Sequence, residues 1–260
     1  MIFTEAKRYY VERRVNERMA ETGSQSFASY FGRLRTNAQG ENEQFVNALT
    51  VNETYFYREE HQLKCLTSDL LTERIKGKRK GEALRIWSVP CATGEEPFSV
   101  AIWLLENWPL VDEYEIEIVG SDIDTQVLEH ARRGIFGKRA LMRLSPYLIA
   151  KYFFSAGDEK WQILDDLLNS VRFSAVNIVE AAETRANGQF DVIFCRNVLI
   201  YFDDASRRVA AENLYENLLP GGFICLGHTE SMSRISPLFD VRQFSDAIVY
   251  QRSAARTLNG

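Results

Sequence analysis

The chain has 260 residues, of which 45% are hydrophobic and 26% are charged, a composition typical of a globular protein with a full apolar core. The formal net charge of −5 gives no general reason to expect a nucleic acid or an anionic membrane as a partner. No run of about 18 apolar residues occurs, and the N-terminus lacks the apolar stretch of a secretory signal. We therefore expect a cytoplasmic protein that is not inserted in a membrane.

The cysteines and histidines predict neither a disulfide framework nor a metal site. The cysteines are Cys65, Cys91, Cys195 and Cys225. They lie far apart in the sequence and form no CxxC pair, so reduced and mostly buried thiols are expected. The three histidines are scattered rather than spaced as metal ligands.

The first 76 residues show helical periodicity only. Apolar residues recur at helical spacing in four segments, which are residues 10–19, 27–34, 45–49 and 59–75. The charged sequence GKRKG at 77–81 then predicts a turn. We therefore predict a helical N-terminal domain over residues 1–76.

After this turn, predicted strands alternate with predicted helices. The strands are residues 83–89, 114–122, 190–197 and 221–227, and the helices are residues 95–108, 125–134 and 205–219. The alternation favours a mostly parallel α/β sheet with helices on both faces. Two last strands, 239–244 and 247–252, are separated by two residues and predict an antiparallel hairpin at the sheet edge.

Residues 137–174 interrupt this alternation. The sequence SPYLIAKYFF begins with a helical pattern, and KWQIL and VRFSAV follow as two short strand patterns. We interpret the segment as a small antiparallel β insert. The α/β domain that carries it is predicted to span residues 77–260.

The first strand of this domain leads into SVPCATGEEP (88–97), at the edge where open α/β sheets bind ligands. The sequence is neither a G-x-G-x-x-G nor a Walker loop, and its two acids suggest a cationic ligand group such as an amine. The alternative is a capping box formed by Thr93 and Glu96, with Pro97 in the first helical turn. The local pattern alone favours capping.

The second strand ends in GSDID (120–124), which carries two further acids. A carboxylate at this point suits the two hydroxyls of a ribose, because it accepts two hydrogen bonds at once. We assign Asp122 to such a ribose and Asp124 to capping the helix that starts at Thr125. Capping by Asp122 itself is the alternative.

Two other strings are less informative when taken alone. CRNVLIYFDD (195–204) places Arg, Asn and Tyr side chains where the core of a strand should end, and an ordinary loop is the alternative. LTVNETYFYRE (49–59) alternates polar, aromatic and basic residues and belongs to neither domain's core pattern.

Together and in this order, these strings resemble the chemotaxis-receptor glutamate methyltransferases of the CheR type, from about residue 7 to residue 252. The resemblance is carried by NETYFYRE, IWSVPCATGEEPFSVAI, SDIDTQVLEHARRGIF, FCRNVLIYFD and PGGFICLGHTES. It implies a class I S-adenosylmethionine-dependent methyltransferase domain that follows a small all-helical domain and carries a β insert. The implied reaction converts receptor glutamates into methyl esters and yields S-adenosylhomocysteine.

The resemblance also implies site residues by their positions in these motifs. Arg58 and Tyr201 are implied as the catalytic pair. Glu96 is implied as a cofactor contact, with Glu95 as the fallback. The implied cofactor-binding residues are Asn52, Thr54, Arg58, Glu96, Asp122, Asn177, Ile178, Arg196 and Asn197, of which Asp122 holds the ribose and Asn177 and Ile178 flank the adenine.

The implied chemistry needs no general base, because a glutamate with a reference pKa of about 4.3 is already an ionised nucleophile near neutrality. The alternatives are a catalytically silent cofactor-binding module and a methyltransferase acting on another protein or on a small molecule. A Rossmann dehydrogenase is a remote alternative, and the missing G-x-G-x-x-G counts against it.

The implied partner is the cytoplasmic coiled-coil part of a chemotaxis receptor, and a monomer is the default oligomeric state. The first 35 residues hold seven basic and four acidic side chains, a local balance of +3. We predict that this basic surface, including Arg14 and Arg18, attracts the acidic receptor. An ordinary solvated surface is the alternative.

Overall fold

A computed structural model of the chain describes residue 3 and residues 5–253. The α-helices are α1 (Arg8–Glu21), α2 (Phe27–Thr36), α3 (Glu41–Leu49), α4 (Glu60–Cys65), α5 (Leu71–Ile75), α6 (Glu95–Asn107), α7 (Thr125–Arg133), α8 (Pro146–Tyr152), α9 (Asp165–Asn169), α10 (Ala181–Ala186) and α11 (Asp204–Glu216). The strands are β1 (Ala83–Ser88), β2 (Glu115–Asp122), β3 (Ile135–Gly137), β4 (Phe153–Gly157), β5 (Lys160–Ile163), β6 (Val171–Ala175), β7 (Phe190–Cys195), β8 (Leu218–Leu226), β9 (Asp240–Gln243) and β10 (Ile248–Gln251).

The N-terminal helices are joined by a buried ion pair. Arg18 in α1 donates from Nε and Nη2 to the two carboxylate oxygens of Glu41 in α3, at 2.9 and 2.8 Å. The hydroxyl of Tyr30 in α2 donates to the same carboxylate at 2.8 Å. The Arg18 hydrogen bonds hold the pKa of Glu41 below its ordinary value although burial opposes this. The carboxylate of Glu41 in α3 therefore binds side chains from both α1 and α2.

The central sheet has the order β6-β2-β1-β7-β8-β10-β9. Its first five strands pair in parallel, and β10 pairs antiparallel with both β8 and β9. The predicted mostly parallel sheet with an antiparallel C-terminal hairpin is thus confirmed. Every residue of β7 is buried, as expected of a central strand with helices on both faces.

The prediction that the VRFSAV strand belongs to the β insert is wrong. The small antiparallel sheet consists of β3, β5 and β4, in that order. The VRFSAV strand, β6, does not belong to it and pairs in parallel with β2 at the edge of the central sheet. A strand pattern predicts extended backbone but does not predict which strand it pairs with. In this position Phe173 of β6 packs against Phe98 of α6, with ring centroids 5.7 Å apart.

The segment 49–59 also departs from the sequence interpretation, because two of its aromatic residues are core residues. Phe56 and Tyr57 are buried. The Phe56 ring packs edge-on against Phe136 and Phe153 of the small sheet, with centroids 4.9 and 5.4 Å away. The segment therefore joins the helical N-terminus to the insert.

The helices α4 and α5 pack in the same hydrophobic core as the strands, through Leu63 and Leu71 respectively. The domain division at residue 76 stays a prediction, and residues 1, 2, 4 and 254–260 of the two predicted domains lie outside the described residues. All four cysteines are buried and unbonded to one another, as expected. Among the described residues, no helix has the length and apolar character needed to span a bilayer.

Candidate active site

A cavity of about 510 Å³ lies at the carboxyl ends of β1, β2, β6 and β7, a volume that suits a small-molecule cofactor. Its opposite wall comes from α1, α3 and residues 49–58. The structure brings every predicted site residue to this cavity: Asn52, Thr54, Arg58, Glu96, Asp122, Asn177, Ile178, Arg196, Asn197 and Tyr201. The parallel strands explain the convergence of the residues that follow them, because such strands present their carboxyl ends at one edge. Asn52, Thr54 and Arg58 come instead from the opposite wall.

Asp122 is the last residue of β2 and is only 3% exposed. Its carboxylate accepts hydrogen bonds from the backbone N–H groups of Ala92 and Asp124, at 2.9 and 3.0 Å. Burial raises the pKa of Asp122 to about 6, although these hydrogen bonds oppose the shift. A carboxylate offers about four acceptor sites, so it can still accept from two ligand hydroxyls in the cavity.

Asp124 caps α7, as the sequence predicted, and has a second role that the sequence did not show. One carboxylate oxygen accepts from the backbone N–H groups of Gln126 and Val127 at the start of the helix. The other accepts from the Thr50 hydroxyl at 2.5 Å and the Asn52 amide at 2.8 Å. Asn52 thus lines the cavity with its amide nitrogen directed at Asp124. The acid connects the sheet edge to the opposite wall of the cavity.

Arg196, at the end of β7, is the central cation of the site, and its side chain is 4% exposed. It donates from Nη1 to Glu96 at 2.8 Å and from Nη2 to the carbonyl oxygen of Arg58 at 2.7 Å. Glu59 lies 3.4 Å from Nη2. Burial raises the pKa of Glu96, and the charge of Arg196 partly offsets this effect.

The capping box predicted from Thr93 and Glu96 does not form. The N-cap of α6 is Gly94, whose φ of +97° suits a residue without a side chain. The Thr93 hydroxyl donates to Glu95 at 2.6 Å, whereas Glu96 binds Arg196. Glu96 lines the cavity and Glu95 does not, which agrees with the order of preference between these two acids. Local spacing could not reveal that a distant arginine would bind the carboxylate.

Arg58 reaches the cavity from a strained backbone segment, and Tyr201 reaches it from a 3₁₀ turn. Arg58 lies between Tyr57 and Glu59, which have φ values of +58° and +55° in the left-handed region. Its guanidinium donates from Nη1 to the carbonyl oxygen of Glu53 at 2.9 Å. Tyr201 ends a short 3₁₀ turn, and the Lys7 ammonium lies 5.3 Å from the centre of its ring. Lys7 and Arg58 thus each lie over a tyrosine ring of the cavity lining, Tyr201 and Tyr55 respectively.

The segment after β6 forms an apolar part of the cavity wall. Ile178 is buried, and its carbonyl oxygen accepts from the Asn213 amide at 3.0 Å. The backbone N–H of Asn177 donates to Glu183 at 2.7 Å, and its side-chain oxygen accepts from Val179 at 3.3 Å. These bonds fix the turn, and Val176, Ile178 and Val179 give this part of the lining its apolar character.

Two family models match the chain. Residues 52–248 match the CheR methyltransferase, SAM binding domain, and residues 1–50 match the CheR methyltransferase, all-alpha domain. The chain belongs to the CheR methyltransferase family. It is 49% identical over 253 residues to chemotaxis protein methyltransferase 2 of Vibrio cholerae, covering 97% of this chain and 88% of that one. The chemotaxis protein methyltransferase of Salmonella typhimurium is 36% identical, with 94% of this chain and 82% of that one covered.

Among solved structures, the chain is similar to the N-methyltransferase NodS of Bradyrhizobium japonicum in complex with S-adenosylhomocysteine, at 15% identity and a TM-score of 0.41. That match covers 79% of this chain and 92% of the other. The family matches confirm the predicted family, the class I methyltransferase fold, the S-adenosylmethionine cofactor and the methyltransferase activity in chemotaxis. The dehydrogenase alternative is wrong.

The described residues fit this cofactor. Arg196 has a buried Nε with no hydrogen-bond partner among the described residues, so the site holds a donor that a ligand can satisfy. We propose that Asp122 binds the ribose hydroxyls, that Glu96 and Arg196 face the charged amino-acid end, and that Ile178 covers the adenine. Asn177 and Asn197 are proposed polar contacts beside them.

We expect protonation of Asp122 to weaken binding of S-adenosylhomocysteine. With a pKa of about 6, the carboxylate is charged at pH 8 and mostly protonated at pH 5, which predicts a loss of affinity of about tenfold over this range. Calorimetric titration measures it. Asp122→Asn should remove most of this pH dependence, whereas Asp112→Asn, at an exposed acid, should retain it.

Asp122→Ala should weaken binding at pH 8 by about 1.5–3 kcal/mol, the scale of lost hydrogen bonds to a charged group. An unchanged affinity in a folded Asp122→Ala variant would remove this residue from the proposed site.

Proposed function

We propose that this chain transfers the methyl group of S-adenosylmethionine to glutamate side chains on the cytoplasmic coiled-coil part of a chemotaxis receptor. It would act there as a cytoplasmic monomer. The observation that carries the proposal is the presence of Arg58 and Tyr201 in the same cavity as Asp122, in a family whose named members are chemotaxis methyltransferases. A cation and a hydroxyl beside a cofactor cavity suit an anionic oxygen nucleophile.

Cys91 also lines the cavity but does not suit covalent catalysis. It is buried, and burial raises the pKa of its thiol well above the ordinary value. The neutral thiol is a poor nucleophile. A glutamate substrate avoids this problem, because its carboxylate is ionised near neutrality and needs neither an enzyme nucleophile nor a general base.

When bound, S-adenosylmethionine supplies an electrophilic methyl group on a positively charged sulfur. A carboxylate oxygen of the substrate would form a bond to this methyl carbon while the carbon–sulfur bond breaks, and no proton would move. Arg58 binds the incoming carboxylate, since only Nη1 of its guanidinium donates to the protein in the described part of the chain. Tyr201 places its hydroxyl against a carboxylate oxygen. Both reacting charges disappear, so a site that excludes water favours the transition state.

The chemical identity of the product tests this proposal. The protein is incubated with a receptor cytoplasmic fragment and S-adenosylmethionine labelled in the methyl group. We expect label on the fragment that mild base releases as methanol, because base hydrolyses methyl esters and leaves N-methyl groups intact. Label that resists base, or binding of the cofactor without any transfer, would overturn the proposed reaction.

We expect Arg58→Ala to reduce kcat/KM for the receptor by about 100-fold, the scale of a lost charged hydrogen bond in the transition state. Arg58→Lys should restore activity only in part, because an ammonium cannot make the planar forked contact. Initial rates with the receptor fragment measure both variants, and thermal melting confirms that they fold. Full activity of Arg58→Lys would contradict the carboxylate-orienting role.

Tyr201→Phe should lower kcat by about tenfold and leave the affinity for S-adenosylhomocysteine unchanged, since it removes only the hydroxyl that faces the substrate. Rates at saturating receptor and cofactor measure the change. Tyr215→Phe is the matched control, because this tyrosine is buried against Phe239 and lies outside the cavity lining. Wild-type turnover in Tyr201→Phe would reduce Tyr201 to a packing residue.

The structure corrects part of the predicted basic docking surface. Arg18 is only 12% exposed and pairs with Glu41, so it is not available to a partner. Arg14 is 32% exposed, and its guanidinium lies 5.1 Å from the ring centre of Tyr10, which lines the cavity. Arg14 is therefore the basic residue of α1 that we propose for docking of the receptor.

We expect Arg14→Glu to lower kcat/KM for the receptor by about fivefold at low salt, mainly through slower association with the acidic coiled coil. The difference should shrink when the Debye length falls below about 8 Å. Arg13→Glu is the control, because Arg13 is 63% exposed on the same helix and pairs with the same Glu17. Equal effects of the two variants, or none, would rule out Arg14 as a docking residue.

A further inference from the structure

The carboxylate of Glu230 binds four backbone N–H groups from two separate segments. One oxygen accepts from Asn197 at 2.7 Å and from Gly227 at 3.0 Å. The other accepts from Leu199 at 2.8 Å and from Ile200 at 3.3 Å. Glu230 thus connects the segment after β8 to the turn after β7.

The turn after β7 needs such an acceptor. Asn197 has a φ of +60°, and residues 199–201 form a 3₁₀ turn, whose first N–H groups have no partner within the turn. Glu230 accepts from these groups, while Arg207 in α11 donates to the carbonyl oxygen of Leu199 at 2.8 Å. The backbone N–H groups of Asn197, Leu199 and Ile200 are therefore all bound by the carboxylate of Glu230.

The two segments are also in close steric contact. A Cβ atom built on Gly227 would lie 2.5 Å from the amide nitrogen of Asn197. The side chain of Asn197 thus rests directly on the glycine backbone. The glycine and the carboxylate of Glu230 together define where Asn197 lies.

Asn197 and Tyr201 stand at the two ends of the turn that Glu230 binds, and both line the cavity. We propose that Glu230 is a positioning residue, which holds Asn197 for cofactor binding and Tyr201 for methyl transfer. This inference rests on the proposed function of that site. Glu230 itself is not among the residues that line the cavity, so it acts through the turn.

Glu230→Gln tests the proposal, because the amide replaces one acceptor oxygen by a donor that faces backbone N–H groups. We expect kcat for receptor methylation to fall about tenfold or more, and affinity for S-adenosylhomocysteine to fall severalfold, on the scale of lost charged hydrogen bonds. Glu212→Gln, at an exposed glutamate of α11, should match the wild type in both measurements. Rates are measured well below the melting temperature of each variant.

A double-mutant cycle separates positioning from a general structural role. If Glu230 acts through Tyr201, Glu230→Gln should reduce kcat much less in a Tyr201→Phe background than in the wild type. If the effects multiply independently, or if only the melting temperature falls while kcat and affinity stay at wild-type values, the proposal is overturned. Glu230→Asp keeps the charge but is too short to reach both pairs, and it replaces Glu230→Gln if that variant does not fold.

The affinity measurement keeps this inference distinct from the proposed function. A wild-type protein that binds S-adenosylhomocysteine but does not methylate the receptor would contradict the proposed function. In that case, equal affinity for S-adenosylhomocysteine in Glu230→Gln and Glu212→Gln would overturn the positioning of Asn197, and a selective loss in Glu230→Gln would support it.

Discussion

The buried guanidinium of Arg196 is the interaction on which the architecture of the site depends. A charge that is removed from water needs partners, and Arg196 takes them from segments far apart in the sequence. Glu96 comes from the start of α6, and Glu59 and the carbonyl oxygen of Arg58 come from the strained segment before α4. The end of β7, the start of α6 and the segment that carries Arg58 are thereby brought to one point, where the cavity lies.

A pair of acids at the end of β2 complements this cation on the other side of the cavity. Asp122 and Asp124 share a hydrogen bond and divide their roles. Asp122 faces the cavity, whereas Asp124 binds the first turn of α7 and the side chains of Thr50 and Asn52. The sheet edge and the non-helical residues that follow α3 are thus held by one short stretch of chain. This arrangement lets the sheet and the N-terminal helices enclose a single cofactor-sized space.

The sequence by itself determined the order of the elements and the chemistry at the strand ends. Strands and helices follow from local periodicity, and polar residues at the carboxyl ends of parallel strands must meet at one edge, whatever the details of packing. For this reason the proposed site residues that follow the parallel strands, such as Asp122 and Arg196, lie at one cavity. Asn52, Thr54 and Arg58 lie on the opposite wall, and only the family resemblance pointed to them. The capping role of Asp124 was predicted as well, because a helix cap is a contact between residues two or three positions apart.

Only the tertiary structure decided which distant groups become partners. The strand pattern of β6 did not reveal that β2 is its neighbour, and the spacing of Glu96 favoured a local cap over its pairing with Arg196. Likewise, Arg18 was expected on a docking surface but is buried against Glu41, and Glu230 gave no sign of the turn that it holds. Hydrogen bonds and ion pairs between residues far apart in the chain depend on where those residues lie in space. Local spacing and composition do not determine these positions, so the sequence patterns could not predict such pairs.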